Sequence, residues 1–555
     1  MTETRNCTKC KHDFALEDDD FSFYEKMKVP APKVCPDCRF KMRAVWRNEM
    51  TLYSGRKCDL CGKGIVTMYN PNSPYKVYCP ECWHSDKWDA SSYAMNYDSS
   101  LPFFDQYQEL LLKVPKKALY ITTNTGPNIN SDYANTAGGL KNCYMVFNGG
   151  ALEESLYCKG IYGSTETVDG YFGINNDQCY EIVNVEQSSE TFYGQNCVSC
   201  VDCFLVQNCS GCTNCFGCVN LRNQSYCWFN EKISKEEYEK RINEVMGSYT
   251  GLSECIKKFN EFKLSFPVRE NTNIKCVNCI GNYLFESKNL SNCFEVTSGE
   301  DSKDCLGAKM FKDCNGVVGY AYKSELLLEC ASVGYANRVI ASAFVDNGQN
   351  LEYCFAISSS KDCFGCDGLQ KKEFCILNKI YSKEEYKKIR EQIITELKSK
   401  DEYGLMISPA LAPFAYNETI AQDNIPMTKL EANAFGLRWE DDVQMTKGKE
   451  TLKQNEIPDY IKDVPDSITN EVLRCIQCDR NYKIIPQELL FYRKMNLPIP
   501  RKCFYCRHQN RIERRGPYKF WKRNCARCDK EITTNYAPDR PEIVYCESCY
   551  QKEVI

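Results

Sequence analysis

From residue 143 to residue 375 the chain carries a repeating pattern of aromatic residues beside cysteines. The first part runs through Cys143-Tyr144, Tyr157-Cys158, Tyr171-Phe172, Cys179-Tyr180, Phe192-Tyr193, Cys203-Phe204, Cys215-Phe216 and Tyr226-Cys227. Steps are mostly 11 to 14 residues, and alternate members lie about 22 apart. The intervening runs are short, β-prone and broken by Asn, Gly, Asp and Ser. Short strands at a fixed period predict a solenoid in which each coil stacks one aromatic or cysteine per wall on its equivalents above and below. The simplest such object is a right-handed parallel β-helix. The rhythm returns from Tyr283 through Cys293-Phe294, Cys305, Cys314, Cys330, Cys354-Phe355 and Cys363-Phe364 to Phe374-Cys375, drifting between Cys314 and Cys354.

Each half runs into a helix start, Ser234-Lys-Glu-Glu237 and Ser382-Lys-Glu-Glu385. Both fit a capping box, in which the serine hydroxyl accepts from the third helical N–H and the glutamate reaches back. The predicted helices end near Met246 and Lys398, and a further amphipathic stretch covers Leu252 to Phe262. Residues 401–473 hold five prolines and no cysteine, which predicts an extended connector. Phe414, Tyr416, Phe435 and Trp439 are too apolar for it to hang free. No apolar run reaches the roughly 18 residues of a membrane span, and the first residues have no signal-peptide pattern.

The two ends carry one module twice. Cys7-x-x-Cys10, Cys35-x-x-Cys38, Cys58-x-x-Cys61 and Cys79-x-x-Cys82 return with the same spacings as Cys475-x-x-Cys478, Cys503-x-x-Cys506, Cys525-x-x-Cys528 and Cys546-x-x-Cys549. Phe23-Tyr24-Glu-Lys-Met27 matches Phe491-Tyr492-Arg-Lys-Met495. The middle is duplicated too, Phe216-Gly-Cys218 to Cys227 recurring as Phe364-Gly-Cys366 to Cys375. The domain expectation is therefore 1–90 an N-terminal double zinc-ribbon module, 91–262 a first solenoid half with capping helices, 263–400 a second half with its helix, 401–473 the connector, and 474–555 a C-terminal double module.

The chain has 38 cysteines and only 3 histidines in 555 residues. A disulfide scaffold of that length without an export signal is implausible, whereas paired Cys-x-x-Cys spacings suit a thiolate metal protein. The expectation is a cytoplasmic protein with reduced thiols. Tetrahedral zinc takes four soft ligands, which two such pairs supply, so the sixteen cysteines predict about four structural zinc ions. Closed four-thiol sets leave no position for a reacting water. The dense run Cys197, Cys200, Cys203, Cys209, Cys212, Cys215 and Cys218 admits three readings: a ladder of buried thiols, additional zinc, or an iron–sulfur cluster that would lack its usual Cys-Pro element.

Net charge is −4 overall but uneven: residues 474–555 carry +9 and residues 1–88 carry +3, leaving −16 between them. The C-terminal excess gathers at Arg501, Lys502, Arg507, Arg511, Arg514, Arg515, Lys519, Lys522 and Arg523, interleaved with Tyr505, Tyr518, Phe520 and Trp521. Guanidinium groups beside aromatic faces suit nucleic acid. The same charges would also serve to neutralise the acidic middle within the molecule.

Several segments carry a resemblance. Phe-Tyr followed by Pro-x-Lys-Val-Cys35-Pro-x-Cys38-Arg resembles zinc-ribbon domains of treble-clef type. Arg47-Asn-Glu-x-x-Leu-Tyr53, Trp83-His-Ser-Asp-Lys-Trp-Asp89, Pro413-Phe-Ala-Tyr-Asn-Glu-Thr419 and Pro538-Asp-Arg-Pro-Glu-Ile-Val-Tyr-Cys546 are similar to an uncharacterised cysteine-rich family of Candidate Phyla Radiation (Patescibacteria) bacteria. Some of that family carry a CaiB/BaiF CoA-transferase label, for which this chain shows no nucleotide-binding pattern or doubly wound rhythm. The resemblance implies an intracellular zinc-ribbon protein and supplies no catalytic residues. The functional expectation is a non-enzymatic binding scaffold contacting RNA or a ribonucleoprotein and protein partners along the solenoid. The alternatives are a β-helix enzyme with a carboxylate groove drawing on Glu181, Glu186 and Glu190, or a self-assembling structural protein.

Overall fold

The computed structural model describes residues 2–121, 126–441, 443 and 445–554. It is mainly β. Two compact units are each built from two separate stretches of chain. One comprises Met1–Leu119 with Asn271–Val443, the other Tyr120–Glu270 with Gln444–Ile555. The N-terminal module therefore shares a unit with the second repeat half, and the C-terminal module shares one with the first.

Within each unit the repeat stretch forms one large, almost wholly parallel sheet, of 11 strands in the first-named unit and 13 in the second among the described residues. The register is twelve residues: Leu156 lies opposite Val168, Cys203 opposite Cys215, and Cys215 opposite Cys227. The second stretch repeats it with Leu351 opposite Cys363 and Cys363 opposite Cys375. Twelve residues, and not the alternate spacing of about 22, is thus the structural period. The drift after Cys314 has a local cause. Leu306 pairs with Val318 but Lys309 pairs with Tyr322, so one extra residue enters there.

A finer period of three lies inside the twelve. In the first stretch a left-handed residue recurs at Asn142, Met145, Asn148, Ala151, Glu154 and Tyr157, and onward to Phe229. The residue after each turns inward, as at Cys143, Val146, Leu152, Cys158, Ile161, Cys179 and Ile182, all in one buried cluster. Asn, Gly and Asp tolerate this backbone region best, which explains why they punctuate the sequence.

The period of three also explains the run of Cys-x-x-Cys spacings between Cys197 and Cys218. These thiols lie at inward positions, and all but Cys212 donate to the carbonyl nine residues on, Cys197 to Val206 at 3.5 Å and Cys209 to Cys218 at 3.6 Å. These inward positions are buried together in one cluster, and cysteine is small, apolar and a weak donor. Serine fills other inward corners: Ser155, Ser164 and Ser188 accept from the amides of Thr167, Asn176 and Cys200, each twelve residues on. Burial pushes the Cys143 thiol up to about 11 and Cys179 and Cys330 up to about 12, so these groups stay protonated donors. Among the described residues this run forms no metal-ligand group. Cys276 and Cys279 are half-buried and donate to the nearby carbonyls of Ile274 and Val277.

The helices follow where expected, at Lys235–Val245, Tyr249–Phe262 and Lys383–Ser399. The capping box closes at Ser382, whose amide donates to Glu385. At Ser234 only its first half forms, because Glu237 accepts from Arg241 at 2.6 Å instead. The connector is less extended than its prolines suggest. It folds into short helical turns such as Ile420–Asn424 and Lys429–Ala434, with Phe414 and Tyr416 buried.

Candidate metal centres

Each terminal module contains two hairpin-plus-helix units. The hairpins pair Glu3–Asn6 with Asp13–Leu16, Tyr53–Lys57 with Gly64–Thr67, Leu473–Arg474 with Asn481–Tyr482, and Trp521–Asn524 with Glu531–Thr534. The first cysteine pair of each unit sits on the hairpin turn, and all four turns are made alike. The amide of Cys7, Cys58, Cys475 or Cys525 donates to the carbonyl five residues on. The residue four on is left-handed: Lys11, Gly62, Asp479 and Asp529. The second pair opens a helix, Pro36–Ala44, Pro80–Trp83, Phe504–Arg515 or Glu547–Val554.

The sequence-predicted sets come together as four groups: Cys7, Cys10, Cys35 and Cys38; Cys58, Cys61, Cys79 and Cys82; Cys475, Cys478, Cys503 and Cys506; Cys525, Cys528, Cys546 and Cys549. Within each, all four sulfurs lie within 4.8 Å of one another. The Cys10–Cys35, Cys61–Cys79, Cys478–Cys503 and Cys528–Cys546 separations are 3.6, 3.9, 3.7 and 3.7 Å. Four thiolates about 2.3 Å from a tetrahedral ion would stand about 3.8 Å apart, so the donor sets fit such an ion. The exposure pattern repeats as well, the second cysteine of each set being the most exposed.

In each set at least one cysteine is held toward thiolate, while burial pushes others up, Cys503 to about 11 and Cys549 to about 12. Amides of Cys35, Cys79 and Cys546 donate to the sulfurs of Cys7, Cys58 and Cys525 at 3.3, 3.3 and 3.2 Å. Burial alone would raise Cys58 and Cys525, but these N–H donors outweigh it and bring them down to about 7 and about 6. Cys475 falls to about 7 by the same balance. Cys35, helped most by the Cys38 thiol, falls to about 5. Four groups that can each hold one metal ion, about four ions in all, are thus present.

The helix that follows the second cysteine pair carries a feature that the sequence reading missed. Arg39, Arg43 and Arg47 occupy the same positions relative to Cys38 as Arg507, Arg511 and Arg515 do relative to Cys506. In the first unit Glu329 accepts from both Arg39 and Arg43, all three side chains at most 3% exposed. Burial works to raise Glu329, and the two guanidinium groups hold it below the usual carboxylate range. Arg47 pairs with Glu49 at 2.5 Å. In the second unit Arg507 pairs with Asp169 at 2.8 Å and Glu488 at 3.3 Å, and Arg511 pairs with Asp169 and Glu181, both at 2.9 Å. The signal was visible as an i, i+4, i+8 arginine spacing after Cys38 and after Cys506; the second set lies on one helix, Phe504–Arg515, whereas Arg47 lies beyond the end of Pro36–Ala44.

This arrangement corrects the nucleic-acid expectation at specific residues. Arg501, Arg507, Arg511 and Arg515 are buried. Arg514 donates to the carbonyls of Glu181 and Gly194. Arg507, Arg511, Arg514 and Arg515 are engaged inside the unit by fixed carboxylates, carbonyls and a tyrosine hydroxyl, whereas Arg501 is buried with only its Nη2 engaged. Of the others, Lys502 is half-buried and Lys519 exposed. Lys522 pairs with Glu531 at 2.8 Å, and Arg523 donates to the carbonyls of Ala537 and Glu542. Glu181, one carboxylate of the alternative enzyme reading, is buried and paired with Arg511. Among the described residues no helix is long and apolar enough to cross a membrane. No protein-family model and no curated protein matches the chain.

Proposed function

We propose that the protein is a non-enzymatic scaffold held together by four structural zinc ions, one in each four-cysteine group. The observation that carries this reading is that all four groups are closed four-thiol sets built to one plan. A closed tetrahedral set binds zinc for folding and leaves no position at which water or substrate could react. Zinc fits better than harder divalent ions because every ligand is a soft thiolate. In this reading the hairpin-plus-helix units are treble-clef zinc ribbons like those the sequence resembles, and the chain belongs with the cysteine-rich Patescibacteria family. The two parallel-paired stretches are the coils of a β-helix, one per half. Free thiols in such number point to the reducing cytoplasm.

Partners in this reading are macromolecules that dock on the outer faces of the repeat stretches, proteins before RNA. Arg507, Arg511, Arg514 and Arg515 are occupied and Arg501 is buried, so RNA contact would rest on Lys502, Lys519, Lys522 and Arg523. Elemental analysis of reduced, freshly purified protein tests the metal claim: four zinc per chain is expected, and clearly fewer overturns it. Crosslinking capture from the native cell, with and without nuclease, tests the partner claim. Protein adducts that survive nuclease are expected, and adducts that all vanish would transfer the role to nucleic acid.

A further inference from the structure

The unit formed by Tyr120–Glu270 and Gln444–Ile555 contains a cavity of about 660 Å³. That volume is in the range of small-molecule sites. Six Lys or Arg side chains line it against three carboxylates. The carboxylates are already spoken for or peripheral. Glu181 is held by Arg511, Glu542 is paired with Arg540, and Glu513 is exposed.

Two of the cations form no direct ion pair among the described residues, although Asp459 acts on Arg501 and Glu542 on Lys263 from further off. Arg501 is 6% exposed; its Nη2 donates to the carbonyls of Ile457 and Pro458, and its Nη1 has no hydrogen-bond partner. No carboxylate forms an ion pair with it among the described residues. Leaving a guanidinium N–H buried and unpaired is costly, and an anion would remove that cost. Lys263, at the end of the helix Tyr249–Phe262, lies 5.8 Å from the Phe259 ring; the acid that acts on it, Glu542, is already paired with Arg540. Burial above all, with the nearby Arg514 and Arg540 and against Glu542, pushes its ammonium down to about 8. Around these cations the wall is aromatic and amide-bearing: Tyr249, whose ring lies 4.9 Å from the Arg501 guanidinium, with Phe259, Tyr193, Asn260 and Gln207.

We propose that this cavity binds a phosphorylated ring compound of nucleotide size, with phosphate on Lys263 and Arg501 and the ring against the aromatic wall. Charge-assisted contacts to phosphate would fix one end, and ring stacking with the amides would hold the other.

The test is calorimetric titration of the full-length, zinc-replete protein with ADP, UDP, adenosine and inorganic phosphate. ADP or UDP is expected to bind, with adenosine and phosphate each at least about tenfold weaker, since each offers only one of the two contacts. Lys263→Gln, which removes an unpaired charge from the wall, should weaken nucleotide binding by roughly ten- to a hundredfold while leaving the melting temperature unchanged. As a second measurement on the unaltered protein, bound nucleotide should protect Lys263 from an amine-acylating reagent. No binding of either nucleotide at about 1 mM, phosphate binding as tightly as nucleotide, or Lys263 acylation unaffected by nucleotide would each overturn the proposal.

Discussion

Glu329→Gln tests the internal clamp of the first unit most directly. Glu329 comes from the repeat stretch, and Arg39 and Arg43 from the helix that begins at the Cys35–Cys38 pair. Replacing the carboxylate with an amide keeps shape and volume but leaves two buried guanidinium groups sharing a neutral oxygen. Arg39 would retain Asn315 at 2.7 Å and Tyr24 at 3.0 Å, whereas Arg43 has no other side-chain partner among the described residues and its Nε already has none. Breaking a buried pair from one side costs about 3–5 kcal/mol. For a unit of this size each kcal/mol moves the midpoint by about 2–4 °C, so a fall of roughly 10 °C is expected. Scanning calorimetry in reducing, zinc-replete buffer reads it, with metal content checked on the same sample. Replacing all three partners together (Arg39→Met, Arg43→Met, Glu329→Leu) should recover much of the loss, because the desolvation cost disappears along with the attraction. A Glu329→Gln midpoint within about 1 °C of the parent would refute the idea that this pair holds module to repeat.

Four further outcomes follow from the same structure. Chelation with a strong zinc ligand should unfold the terminal modules before the repeat stretches, seen as loss of helical circular dichroism ahead of loss of β signal, because the hairpin units have little apolar core beyond their thiolates. Because its folded pKa is lowered, Glu329 contributes stability that is complete above its unfolded pKa near 4.5 and lost as pH falls through the folded value; Glu329→Gln should therefore flatten the acid limb of a melting-temperature profile below about pH 5. Alkylation of the native zinc-loaded protein should label Cys276 and Cys279 first and leave Cys197 to Cys218 untouched, checked by peptide mass mapping; rapid labelling of the inner run would contradict its burial. Cys215→Leu should cost about 1–3 kcal/mol by overfilling the interior, whereas Cys215→Ser should cost less, both measured by denaturant unfolding.

How much of this was legible depended on whether the relevant spacing was short and local. Sixteen ligands were readable because each Cys-x-x-Cys is fixed by one tight turn or one helix start, and the duplication doubled the signal. The repeat stretches were readable as β, but their period was blurred. Counting aromatic–cysteine pairs mixes outward positions such as Phe204 with inward ones such as Cys203, so steps scatter around twelve and their doubles average short of twenty-four. Counting only inward residues, Cys197, Cys200, Cys203, Val206 and Cys209, gives the period of three at once. Which module joins which half was not legible. That choice rests on carboxylates hundreds of residues from their arginines, as Glu329 is from Arg39 and Asp169 from Arg507.

The left-handed columns explain why those carboxylates sit where they do. Stepping by twelve from Met145 gives Tyr157, Asp169, Glu181, Tyr193 and Leu205, all with positive φ and none of them Asn or Gly. Side chains other than Gly, Asn and Asp pay most for that backbone region, about 1–2 kcal/mol each, so a column that keeps them needs compensating contacts. The helix Phe504–Arg515 supplies these contacts in order. Phe504 stacks on Tyr157 at 5.1 Å, Arg507 meets Asp169, Arg511 meets both Asp169 and Glu181, and Arg514 reaches Glu181 and Gly194. Four helical residues advance about 6 Å and one step between strands about 4.8 Å, so successive turns of the helix meet successive repeats. The first unit places a smaller residue at one step of its column: Gly316 has φ +87°, and a Cβ there would stand 2.7 Å from the Arg43 guanidinium. The cysteine pair at each helix start therefore does more than fold a small lobe. By fixing where the helix begins, it sets which arginine meets which repeat, and a lost ion should loosen the repeat column as well as the module.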